Sequence, residues 1–97
     1  MAIDWELQDV KLTENDTWVE GNIHVHGSAG PIPVDVTKPF KTKTNAEFPI
    51  ELKDVPFVGK VIVVIIVTLK PPKTVHVVAK ITEPVEIALG EKDVDVA

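Results

Sequence analysis

Apolar and polar residues alternate with a period of two along most of this chain, the pattern of β-strands with one buried face. Thr74–Thr82 is the cleanest case, with Val75, Val77, Ala79 and Ile81 on one side. Ala46–Lys53 sets Ala46, Phe48, Ile50 and Leu52 against Glu47, Pro49, Glu51 and Lys53. Trp18–Gly27 turns Val19, Gly21, Ile23 and Val25 one way and Trp18, Glu20, Asn22, His24 and His26 the other. Ile3–Leu12 begins with Ile3, Trp5 and Leu7 in phase and continues with Val10 and Leu12 one step out. An extra residue near Gln8–Asp9, a β-bulge, would restore the register. Ile32–Thr37 contributes Ile32, Val34 and Val36. Val85, Ile87 and Leu89 form a last segment that Val94 and Val96 extend beyond Gly90. No stretch keeps a 3.6-residue period, so no helix longer than about one turn is expected.

Turn signals separate these segments. Thr13-Glu14-Asn15-Asp16 is polar and predicts a hairpin between the first two strands. Ser28-Ala29-Gly30-Pro31, the Pro56–Phe57 loop, Pro71-Pro72 and Glu83-Pro84 mark further breaks, and KPFKTKTN (Lys38–Asn45) reads as a loop or irregular edge. Pro33 and Pro49 sit inside alternating segments; because proline donates no ladder hydrogen bond, Ile32–Thr37 is expected at a sheet edge or with its proline on an unpaired side, and Ala46–Lys53 at an edge. The expected fold is one all-β domain over residues 1–97, an antiparallel β-sandwich of about seven strands, immunoglobulin-like in general architecture. A jelly roll or small barrel is the alternative.

KVIVVIIVTLK (Lys60–Lys70) departs from the alternation. Val61, Val63, Ile65, Val67 and Leu69 share one face, and Ile62, Val64 and Ile66 share the other. A strand of a two-layer antiparallel fold normally shows one face to water. The second face is therefore covered by neighbouring chain, by another subunit or partner, or by an apolar ligand. Lys60, Lys70, Pro71 and Pro72 flank the run as gatekeepers against aggregation.

Composition narrows the chemistry. Valine, isoleucine and threonine fill 34 of 97 positions, a load that favours pleated surfaces over helices. Fifteen acids face ten bases, all lysine, for a net charge of −5; with no arginine, nucleic-acid binding is not expected. The absence of cysteine removes disulfides, thiolate zinc sites and thiol nucleophiles. Ser28 is the sole serine and lacks a nucleophile elbow, and no phosphate-binding glycine loop occurs. No membrane span and no signal peptide are read in the chain, which makes the cytoplasm the expected location unless a leader has been removed. Scarce Asn, Gln and Met beside frequent Pro, Lys and Glu lean toward a heat-tolerant or engineered chain.

His24-Val25-His26 places two imidazoles on one strand face, about 6.5–7 Å apart along the chain. That spacing suits two ligands of a zinc or copper ion, with His76 as the third candidate and Glu20 or Asn22 as neighbours on the same face. H-x-H also occurs in cupins and in copper–zinc superoxide dismutases. Neither resemblance carries over: no glutamate follows at cupin spacing, and the dismutase's further histidines are missing. Trp5 belongs to the core, whereas Trp18 faces outward and is a contact candidate. The leading expectation is a non-enzymatic structural or interaction module, a homo-oligomer or partner-binding protein, using Ile62, Val64, Ile66 and Trp18 or an exposed strand edge. Metal binding at His24, His26 and His76 is the alternative, and an apolar-ligand sandwich the third.

Overall fold

The six alternating segments and Lys60–Lys70 are all extended in the computed structural model, which describes residues 2–29, 31–55, 59–70, 73–83 and 86–96. The strands are β1 (Ala2–Thr13), β2 (Trp18–Ala29), β3 (Ile32–Lys43), β4 (Ala46–Val55), β5 (Gly59–Lys70), β6 (Thr74–Glu83) and β7 (Ile87–Asp95). They form two antiparallel sheets, β1-β2-β3 and β4-β5-β6-β7, in a sandwich-like arrangement around one apolar cluster. Each sheet is a plain meander. An immunoglobulin order exchanges strands between sheets through long connections. Here no connection exceeds four residues, so each strand reaches only its neighbour in sequence. The Pro56–Phe57 loop, Pro71-Pro72, Pro84 and Val85 lie outside the described residues. Among the described residues no helix is long and apolar enough to cross a membrane.

The core is built from the inward sets. Trp5, Val19, Ile23 and Val25 of the three-stranded sheet meet Val63, Ile65, Val67, Val75 and Val77 of the four-stranded sheet, all essentially inaccessible. The bulge falls where the phase change predicts. Gln8 pairs with Asn22 and Lys11 with Glu20, so Asp9 and Val10 together face Gly21. Asp9 takes φ 54°. A Cβ on Gly21 would lie 2.9 Å from the Gln8 carbonyl oxygen, so the bulge requires glycine opposite it.

KPFKTKTN is mostly strand rather than loop. β3 runs to Lys43, because Phe40 and Thr42 keep the inward period and are buried, while Pro39, Lys41 and Lys43 point outward. The two-residue turn Thr44-Asn45 then leads to the second sheet. Asn45 (φ 63°) donates its N–H to the Val67 carbonyl at 2.6 Å, and Thr44 donates to Thr17 O at 3.3 Å. Phe40 and Phe48 close that side with ring centroids 6.4 Å apart. β3 and β4 are edge strands, as Pro33 and Pro49 require.

β7 completes the opposite side. Gly90 (φ 97°) sits at its bulge, where pairing shifts between Ala79↔Gly90 and Lys80↔Ala88. The Trp5 indole N–H donates to the neighbouring Leu89 carbonyl at 3.1 Å, linking the sheets. The shift sets Ile87 opposite the buried Ile81, yet Ile87 remains 37% exposed and outside the core cluster. It also directs Lys92 toward β1, where its ammonium donates to Trp5 O and lies 4.8 Å from the Trp5 ring centroid.

Candidate functional site

Hairpin register brings the outward polar residues of β1, β2 and β3 together. Glu6 lies opposite His24, Asp4 opposite His26, and His26 opposite Asp35. The His24 ring spans the gap between two carboxylates: Nδ1 is 3.0 Å from Glu6 Oε1 and Nε2 is 2.7 Å from Asp35 Oδ1. His26 packs beside it, ring centroids 4.9 Å apart and tilted by 38°. The hydrogen bond to Glu6, reinforced by the one to Asp35, holds the His24 imidazole above its ordinary value of 6.5. In return His24 holds the Glu6 carboxyl below 4.5. Asp4 is lowered as well, by the Trp5 backbone N–H and then by the Lys92 charge.

One donor atom each from Glu6, His24 and His26 lies within 4.8 Å of the others. The local third member of the histidine cluster is thus Glu6 of the adjacent strand, not His76, Glu20 or Asn22. His76 lies in the other sheet, with Nδ1 2.7 Å from Asp93 and Nε2 3.7 Å from Glu91. Glu20 is engaged with Lys11 at 3.0 Å, at the far end of the hairpin. Sequence reasoning missed Glu6 because cross-strand partners depend on the turn and the bulge together. A turn closing at Thr13↔Trp18 with one bulged residue places Glu6 opposite His24.

The outer face of the four-stranded sheet holds the second group of candidates. β5 is internal to its sheet. Val64, flanked by Pro49 and Lys80, is buried to 8% exposure. Ile62, between Glu51 and Glu83, and Ile66, between Glu47 and Val78, are half-buried. The result is an apolar stripe with Glu47 and Glu51 along its β4 margin and Val78, Lys80 and Glu83 along its β6 margin. Trp18 sits on the outer face of the other sheet, half-buried, with the Lys41 and Lys43 ammonium groups 5.4 and 5.5 Å from its ring centroid. A surface cleft of about 550 Å3 adjoins the β1 bulge, lined by Asp9, Gly21, Asn22, Pro39, Phe40 and Phe48 among others.

No protein-family model, no curated protein and no solved structure matches the chain.

Proposed function

We propose that this chain is a non-enzymatic interaction module that associates with further copies of itself through the outer face of the four-stranded sheet. The observation that carries this reading is the apolar stripe Ile62–Val64–Ile66 inside the margins Glu47, Glu51 and Glu83. Three carboxylates and one ammonium, Lys80, border the stripe, so two such faces meeting each other would bring mostly like charges together. The surface on the same molecule proposed to complement it is the Trp18 corner, where Lys43 and Lys41, the latter also 3.9 Å from Glu14 and 4.0 Å from Glu20, flank an aromatic ring. Seating that corner on the stripe of the next copy pairs lysines with glutamates and covers the isoleucines. A contact between unlike faces is heterologous, giving a ring where the rotation between copies closes and an open chain where it does not.

The edges are the poorer route to assembly. Of the four edge strands, β1 carries the bulge at Asp9–Val10, β3 carries Pro33 and Pro39, β4 carries Pro49, and β7 turns Lys92 inward toward β1, each a device that hinders strand addition. Sedimentation velocity at rising concentration tests the proposal. Ile66→Asp and Trp18→Ala should each reduce assembly with unchanged circular dichroism, and added salt should weaken it. Assembly indifferent to both substitutions would refute the assignment of these faces.

A further inference from the structure

We propose that Glu6, His24 and His26 form a binding site for a divalent first-row transition metal, zinc in the first instance, on the outer face of the three-stranded sheet. Their donor atoms already lie within 4.8 Å of one another. Tetrahedral zinc, with bonds of about 2.0–2.2 Å, sets its ligands roughly 3.4 Å apart. The Glu6–His24 separation of 3.0 Å is close to that, and no donor separation in the set, at most 4.8 Å, must shorten by more than about 1.4 Å for all three to reach one ion. Two imidazoles and one carboxylate match zinc's preference for nitrogen and oxygen donors.

The surroundings support the same assignment. A metal-ligating imidazole commonly donates its other ring N–H to a carboxylate, which fixes tautomer and orientation. Asp35 Oδ1 stands 2.7 Å from His24 Nε2 and can fill that role, leaving Nδ1 for the ion beside Glu6. Binding replaces the proton on Nδ1 by the metal, and that proton goes to solvent. All three donors come from paired strands of one hairpin, a more rigid base than a loop. Asp4, opposite His26, adds negative charge nearby. Three protein donors leave a fourth position open to water.

Isothermal titration of the full chain, free of any histidine tag, with zinc chloride is the test. One equivalent is expected to bind. Glu6→Gln and His26→Gln should each weaken binding at least about tenfold, and Asp35→Asn by about 10–100-fold, the range for an orienting partner. His76→Gln should leave it unchanged. Histidine ring NMR should show His24 and His26 shifting with zinc while His76 stays in place, a readout independent of the variants' stability. No uptake by the wild-type chain, uptake that survives His26→Gln, or uptake that requires His76 would each overturn the site.

Discussion

At the residue scale, side-chain chemistry was visible in the sequence and its partners were not. His24 and His26 share a face because the side-chain period is two, and Trp5 is core for the same reason. Glu6, Asp35 and Asp93 act through neighbouring strands, and cross-strand neighbours follow from turn length and bulge position rather than from any local pattern. Asp93 shows what such a partner does. Its carboxyl is held below 3.8 chiefly by the hydrogen bond from His76, aided by Lys70 at 3.6 Å. A carboxyl lowered in the folded state stabilises the fold above its unfolded value, and that contribution is lost as pH falls through the folded value. Urea unfolding followed from pH 6 to pH 2 should therefore show an acid limb that His76→Gln makes shallower. An unchanged limb would remove this role of the pair.

At the element scale, the bulge, the hairpin and the two proline-bearing edges were all legible, since each leaves a local mark: a phase slip, a polar tetrad, a missing donor. The end of β3 was not. Lys38, Lys41 and Lys43 make the stretch look solvated, yet Phe40 and Thr42 hold the inward period between them. Reading that segment as a loop leaves room for a sheet-crossing connection; as a strand it leaves only Thr44-Asn45. The β1–β2 turn carries a cost of its own. Glu14, Asn15 and Asp16 all have positive φ, and Thr17 N–H closes the turn on Glu14 O. Positive φ at both central residues is the requirement of a type I′ turn, where glycine is favoured at the second. Asp16→Gly removes left-handed backbone strain of about 1 kcal/mol, the low end of the range because Asp tolerates this region better than most residues, and costs about 0.4–1 kcal/mol through greater unfolded-state entropy. Calorimetry should show a net gain near 0.5 kcal/mol, roughly 2–4 °C in Tm. Gly90→Ala should act in the opposite sense. A Cβ there meets open space, so the loss, about 1 kcal/mol, would come from φ alone. A rise in Tm for Gly90→Ala would contradict that reading of the β7 bulge.

At the scale of the whole molecule, the two faces of β5 divide folding from assembly. Ile65 is fully buried between the sheets, and Ile66 points away from them. A carboxylate forced into the first site has no partner and costs more than about 4 kcal/mol, a large part of the stability of a domain this size. Ile65→Asp should unfold the chain, whereas Ile66→Asp should leave it folded. The sequence announced that KVIVVIIVTLK has two apolar faces. It did not announce that Pro49, Lys80 and Val78 would flank the second one, because that depends on the order of strands in the sheet. The stripe is consequently narrower than the composition implies, and its mostly acidic margin is what gives it direction. Light scattering of the wild-type chain across a hundredfold range of concentration tests this most directly. The weight-average mass should climb above the 10.6 kDa of one chain and fall back when salt is added. A mass fixed at 10.6 kDa up to the highest concentration would contradict the assembly role of the β5 face.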